Sequence, residues 1–309
     1  MEMEKSLESR IEFLDSKHVD NGRERLPTVK KGQIRALKIL FQTVGRVFPT
    51  ALARIAYKIF ATPRWRARHK THDDLMRAAV VSDFSFEDEI IKIYDWNLSG
   101  ECVVLLAHGW ESRGTALRMY VPKLIEKGFR VVAFDAVAHG DSTGEQNNFA
   151  TNARTIAALS AHFGGFYAAI GHSFGCTSLV YALRFMNISK PIERLVFLAV
   201  PHASQRIMES YLNLFHAPTA LRRAFLRRVE AVTGRSVGAA DVAAAYSEVK
   251  VGKLLLIHDR RDEVTSIDAA ERVVVAWSNA HLIVTDGYGH FRIAKNPDVI
   301  RRIVEFVEN

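Results

Sequence analysis

The sequence predicts an α/β fold: a mostly parallel sheet with helices on both faces, a helical cap insertion at the strand ends and a helical amino-terminal extension. Three observations carry this prediction. Short apolar runs, CVVLLA at Cys102–Ala107, RVVAF at Arg130–Phe134, LVFLAV at Leu195–Val200 and LLLIH at Leu254–His258, alternate with stretches of helical periodicity. Strands this poor in charge, separated by amphipathic helices, are buried on both faces, which is the signature of parallel pairing. The rhythm breaks between His202 and Val249, where only helical pattern occurs, and apolar residues from Leu37 to Phe60 recur at helical spacing ahead of the first strand.

In chain order, residues 1–80 read as the extension, with Pro49 allowing a bend or break in its helical pattern. Ser82–Trp96 reads as one or two strands, a hairpin turning at Glu87 and Asp88. Helices are expected at Thr115–Lys127, Phe149–His162, Gly175–Phe185, Ser266–Trp277 and Pro297–Val307, and further strands at Tyr167–Ile170 and His281–Thr285. The core is thus assigned to 81–201 and 249–309. Residues 202–248, with helical pattern at Arg206–Phe215, Ala220–Val232 and Ala239–Tyr246, are read as a cap inserted between two strands, because ligands of open α/β sheets bind outside the strands' carboxyl ends.

Composition sets the class. With 48% hydrophobic and 25% charged residues, the 309-residue chain is an ordinary globular protein. Cys102 and Cys176 sit in apolar stretches without metal-type spacing and read as buried free thiols. Met1–Asp20 mixes acids and bases around no apolar core, unlike a secretory signal. Thr155–Leu183 carries no Asp, Glu, Lys or Arg. Its glycines and its change of period favour a helix end, a strand and a second helix over a membrane span. The expected location is cytoplasmic.

The net charge of +8 is local. Eleven Lys or Arg and no acid lie between Lys30 and Lys70, a sum of +11 that leaves −3 for the rest. No nucleic-acid partner is expected from so uneven a distribution. The basic helical stretch, with Arg35, Lys38, Arg46, Arg54 and Lys58, reads either as a helix pair docked on the core or as a peripheral contact with anionic membrane through residues 30–70.

The chemistry centres on Gly171-His172-Ser173-Phe174-Gly175, a G-x-S-x-G run directly after a strand and before a helix. A serine there sits on a tight turn with its hydroxyl clear of the backbone, and the following helix offers free N–H groups to a developing anion. Serine needs a positioned base. His290 lies in the glycine-flanked loop after the last strand, and Asp262 lies in the loop after the strand before it. Asp259 and Glu263 are alternative acids, and Asp135 ends another strand. No H-E-x-x-H or C-x-x-C spacing exists, so no metal site is expected, and acyl transfer through a serine needs no organic cofactor.

These residues, in the chain order Ser, Asp, His, resemble the α/β-hydrolase superfamily over residues 82–309. The resemblance implies a catalytic triad of Ser173, Asp262 and His290. His108-Gly109-Trp110 is similar to the family's oxyanion loop, which implies that the backbone N–H groups of Trp110 and Phe174 bind the oxyanion. Asp135–Gly144 is similar to the family's D-x-x-G-x-G-x-S-x-G segment, from which Ala138 and His139 depart. The implied activity is serine hydrolysis of a small carboxylic ester; contact of the Lys30–Lys70 segment with anionic lipid would favour a lipid-like acyl substrate. A thioesterase or other acyl hydrolase, and a silent hydrolase fold serving as a membrane- or partner-binding module, remain as alternatives.

Overall fold

In the computed structural model the described residues are 7, 9–14, 31–68, 73–201 and 204–309. The readings placed on Met1–Leu7 and Asp15–Lys30, on the basic residues Lys30 and Lys70, and on the first cap residues His202 and Ala203 fall wholly or mainly outside them. Described elements, in order, are β1 (Ile11–Phe13), α1 (Lys31–Val47), α2 (Pro49–Ala61), α3 (Asp74–Arg77), β2 (Val80–Phe86), β3 (Glu89–Trp96), β4 (Val103–Ala107), α4 (Val121–Glu126) and β5 (Arg130–Phe134). There follow α5 (Phe149–His162), β6 (Ala168–His172), α6 (Phe174–Phe185), β7 (Ile192–Leu198), α7 (Ser204–Leu214), α8 (Thr219–Thr233), β8 (Val251–Asp259), α9 (Asp268–Ala276), β9 (Ala280–Thr285), α10 (Gly289–Arg292) and α11 (Pro297–Glu308).

The strands form a nine-stranded sheet ordered β1-β9-β8-β7-β6-β4-β5-β3-β2, parallel except where β3 pairs with β2 and β5. Alternate residues of each central strand feed two cores. Leu105, Ala169, Phe197 and Leu256 pack under α5, α6 and α9 with Ile156, Leu179 and Val273. Val104, Leu106, Ile170, Val196 and Ile257 pack against α4 and α11 with Leu124, Ile303 and Val307. That two-sided burial explains the unbroken apolar runs, and each fully buried Leu, Ile or Val contributes about 1.5–3 kcal/mol.

Several elements differ from the sequence-based expectation. The extension is not wholly helical: Ile11–Phe13 adds a parallel edge strand beside β9, with Ile11 opposite Leu282. Only three residues long, it offers too short a run for periodicity to register. Thr115–Lys127 splits into a 3₁₀ segment, Gly114–Tyr120, followed by α4. Pro122 enforces the break, since it has no N–H and its ring collides with the carbonyl four residues back. Ala239–Tyr246 forms two 3₁₀ turns, Val237–Ala240 and Ala243–Glu248. Between them Asp241 is extended, and its carboxylate accepts from the N–H of Ala243 at 3.0 Å, an alternative to helix for those donors. Cys102 is exposed, not buried, because it precedes the strand in a turn, whereas Cys176 is buried.

The helix pair α1–α2 breaks at Phe48, with Pro49 opening α2. Its inner face is docked. Phe41 lies 5.0 Å from Phe215, Phe60 lies 5.6 Å edge-on from Phe225, and the Tyr211 hydroxyl donates to Ala56 O at 2.8 Å. The charge-free run Thr155–Leu183 resolves into the end of α5, β6 and most of α6. No helix among the described residues is long and apolar enough to cross a membrane.

Leu256 is fully buried in β8, in the core under α5, α6 and α9. Leu256→Ala is expected to cost about 2–5 kcal/mol in equilibrium urea unfolding. A change below about 1 kcal/mol would contradict the two-core packing.

Candidate active site

The register β6–β7–β8–β9 aligns His172 with Leu198, Leu198 with Ile257 and Ile257 with Ile283. The loops that follow these strands therefore leave from one edge, and they carry Ser173, Asp262 and His290.

Ser173 joins β6 to α6 with φ 50° and ψ −112°, a left-handed conformation that a β-carbon resists. It is held by its N–H donating to Leu198 O at 2.9 Å and its carbonyl accepting from Cys176 N at 2.9 Å. The flanking glycines are sterically required. A β-carbon at Gly175 would lie 2.3 Å from Ala107 O, and one at Gly171 would lie 2.9 Å from Leu179 and 3.0 Å from the Cys176 amide. The backbone contact at Gly175 cannot be absorbed, and at Gly171 the Leu179 side chain and the Cys176 amide would have to shift.

His290 lies in α10, which follows β9, and is buried. Its Nδ1 donates to Asp262 Oδ2 at 2.8 Å, which leaves Nε2 with the lone pair. Its backbone carbonyl accepts from His172 Nε2 at 2.8 Å, and the two rings lie 4.9 Å apart. His290 is thus anchored to the residue preceding Ser173. The Asp262 side chain is wholly buried. Oδ1 accepts from the N–H of Val264 and Thr265, each at 2.8 Å, and Oδ2 also accepts from the Thr265 hydroxyl at 3.0 Å. Burial pushes this carboxyl up, but the hydrogen bond and charge of His290 and the Thr265 amide outweigh it, holding it below the usual aspartate range.

The alternative acids are occupied or remote. Asp259, fully buried, binds the His290 loop: it accepts from the Thr285 hydroxyl at 2.7 Å, Tyr288 N at 2.9 Å and Gly287 N at 3.2 Å. Asp135 accepts from Gly114 N at 2.6 Å, Asp141 N at 2.8 Å and the Tyr94 hydroxyl at 3.1 Å, folding the Asp135–Gly144 segment. In that segment Ala138 adopts φ 63°. Glu263 is exposed.

Ser173 opens into a cavity of about 570 Å³, lined also by Trp110 and Phe174, by Tyr57 and Phe60 of α2, and by Ile207, Met208 and Val229 of α7 and α8. The rings of Trp110 and Phe174 meet edge-on at 5.3 Å. Neither backbone N–H has a hydrogen-bond partner among the described residues. Two free donors beside a serine at a helix start suit an anion. Three contributors were not singled out in the sequence: Thr265, the Asp259 brace, and the α2 aromatics in the wall. The D-x-x-T spacing of Asp262 and Thr265, a local turn pattern, was the one available signal. No cluster of His, Cys, Asp or Glu that could hold a metal occurs among the described residues.

A family model for the alpha/beta hydrolase family matches residues 104–303. The chain belongs to the alpha/beta hydrolase family. Solved structures similar to this alpha/beta hydrolase include an esterase of Pyrococcus furiosus (22% identity, TM-score 0.59, 80% of this chain and 96% of that one). A thioesterase domain from the curacin biosynthetic pathway is similar at 15% identity and TM-score 0.55, covering 75% and 100% of the two chains. A bromoperoxidase of Bacillus anthracis is similar at 16% identity and TM-score 0.55, covering 74% and 100%. At these identities the likeness is one of fold. None of the curated proteins compared matches the sequence.

Four imidazoles of this hydrolase are held neutral by burial first: His108 is pushed down to about 4, His139 to about 3 and His172 to about 3, and His258 is lowered as well. Between those values and the unfolded value of about 6.5, the unfolded chain binds protons that the native one refuses. Stability is therefore full above about pH 6.5 and falls as pH drops, by up to about 1.4 kcal/mol per pH unit for each such imidazole once well below it. Asp262, lowered, loses its contribution only at more acid pH. Denaturant melts from pH 8 to pH 5 should show this slope; a flat profile would refute it.

Proposed function

We propose that the chain is a serine hydrolase acting through an acyl-enzyme, with Ser173 as nucleophile, His290 as base and Asp262 orienting the imidazole. The observation that carries this reading is the buried 2.8 Å bond from His290 Nδ1 to Asp262, anchored beside a strained serine that faces an apolar cavity. Ser173 Oγ attacks the substrate carbonyl carbon while its proton passes to His290 Nε2. The N–H groups of Trp110 and Phe174 take the negative oxygen. The leaving alkoxide departs with the proton from His290. Water then gives a proton to His290 and attacks the acyl carbon, the acid is released, and the proton returns to Ser173.

Carboxylic esters with a bulky apolar acyl group fit the cavity best. Its walls are mostly aromatic and aliphatic, and its volume is that of a pocket for a small organic molecule. The insertion holding α7 and α8 is read as a cap, since it supplies one wall. An esterase and a thioesterase among the structural neighbours support acyl transfer, with ester ahead of thioester. A serine-directed fluorophosphonate should label Ser173 and leave Ser173→Ala unlabelled. On p-nitrophenyl esters of increasing chain length, Asp262→Asn should lower kcat by about 10³–10⁴-fold. A properly folded protein that neither labels nor hydrolyses would be the silent binding module instead.

Contact with anionic membrane is proposed alongside, because the face of α1–α2 turned away from the core combines both features of an interfacial helix. Arg35, Arg46, Arg54 and Lys58 are exposed there, together with Ile39, Val47, Phe48 and Ile55, each more than half exposed. The full chain should co-sediment with phosphatidylglycerol vesicles and not with phosphatidylcholine. Joint reversal of Arg35, Arg46 and Arg54 to Glu should weaken pelleting at least tenfold, and unchanged pelleting would end the idea.

A further inference from the structure

We propose that Arg64 is a positioning residue for the oxyanion donor Trp110, making the amino-terminal segment part of the catalytic apparatus. The inference rests on the serine-hydrolase reading above, and it follows from how the turn carrying Trp110 is held.

Trp110 lies between Gly109 and Glu111, and Glu111 has φ 55°, a conformation unfavourable for a residue with a β-carbon. Such a backbone persists only where its surroundings over-determine it. Here the fastening comes from outside the hydrolase core. The Glu111 side chain is 7% exposed, and its carboxylate accepts three hydrogen bonds from Arg64: the backbone N–H at 2.8 Å and Nε at 2.9 Å, both to Oε1, and Nη2 at 2.9 Å to Oε2. Trp65 Nε1 donates to the Glu111 carbonyl at 3.1 Å. Both ends of Glu111 are therefore tied to one dipeptide about 46 residues away in sequence.

The segment continues along the same rim. Arg66 Nη1 donates to Ser142 O at 2.9 Å, its Nη2 donates to Gly144 O, and Arg113 Nη1 donates to Arg68 O at 2.7 Å. On the opposite side the Trp110 ring packs on His139 at 4.9 Å and Phe174 at 5.3 Å. The Trp110 amide is thus fixed between an aromatic contact with the nucleophile turn and a charge-assisted fork from the extension. A fork of this kind imposes direction as well as attraction.

Without the guanidinium, a buried carboxylate loses its countercharge and two of its donors. The cheapest relief is rotation of the Glu111 side chain to water, which swings the adjoining peptide and with it the Trp110 N–H. A misaimed donor weakens binding of the transition state and leaves ground-state contacts in the cavity unaffected, because the oxyanion forms only during reaction.

The test compares full-length wild type, Arg64→Ala and Arg64→Lys for kcat and KM on a p-nitrophenyl ester, for fluorophosphonate labelling rate, and for inhibition by a trifluoromethyl ketone that mimics the tetrahedral anion. Arg64→Ala should lower kcat about 10–100-fold with KM within twofold, and should weaken the ketone by a matching factor. Arg64→Lys, which keeps the charge without the fork, should recover only part of this and guards against a failure of the alanine variant to fold. Wild-type labelling at Ser173 together with unchanged kcat in a folded Arg64 variant overturns the positioning role alone. A fall in KM-controlled binding with kcat retained does the same, assigning Arg64 to the cavity wall. No labelling or hydrolysis by wild type overturns both this inference and the serine-hydrolase reading.

Discussion

Parallel pairing of β6, β7, β8 and β9 is the constraint on which the site depends. Parallel strands must all run the same way, so the loops after them emerge at one edge regardless of their separation in sequence. Ser173, Asp262 and His290 lie within a few residues of that edge. Their convergence needs no long reach, only a ladder in correct register. A one-residue slip of β8 would turn its inward side chains to the opposite core and carry Asp262 with it. The two cores, one on each face of the sheet, are what make such a slip costly.

The edge is crowded with groups that dislike burial, and the structure handles them by strict division of labour. Asp259, the last residue of β8, and Asp262, in the loop that follows, are three residues apart and have the same chemistry. One spends both oxygens on Thr285, Gly287 and Tyr288 and so builds the loop that presents His290. The other receives His290 itself. His108 and His172 are likewise structural in this arrangement, bridging Gly109 to Ala136 and the His290 carbonyl respectively. Neutral imidazole, with one donor and one acceptor, is well suited to such bridging. Burial keeps these rings neutral.

Much of this was legible in the sequence because it rests on local pattern. The apolar runs gave the strands, Glu87-Asp88 gave the hairpin turn, and α5 and α11 begin where periodicity places them. The G-x-S-x-G turn was readable because its glycines answer a steric demand within five residues. What escaped was either too short for a period, as in β1, or long-range. That Asp259 braces one loop while Asp262 serves another is a choice of rotamer and register, invisible in D-R-R-D. The split of Ala239–Tyr246 turned on a single Asp241 carboxylate competing for backbone donors. Phe60 read as a helix-packing residue, which it is, but nothing local reveals that it and Tyr57 also wall a cavity.

That double use of α2 bears on how the extension relates to the hydrolase core. A segment that only decorated the core would bury its own apolar face and leave the cavity to strands and insertion. Here Tyr57 lies against Phe225 of α8 and accepts from Asn148 at 3.1 Å, at the start of α5. Three residues past the end of α2, Arg64 grips Glu111. The same short stretch therefore touches the insertion, the core and the Trp110 turn. Helix α2 is a rigid rod between these contacts, so displacement at its outer face would be felt at the cavity wall and at Glu111 together. If the outer basic and apolar face does meet a lipid surface, as proposed, it would do so through the element best placed to register that contact in the site.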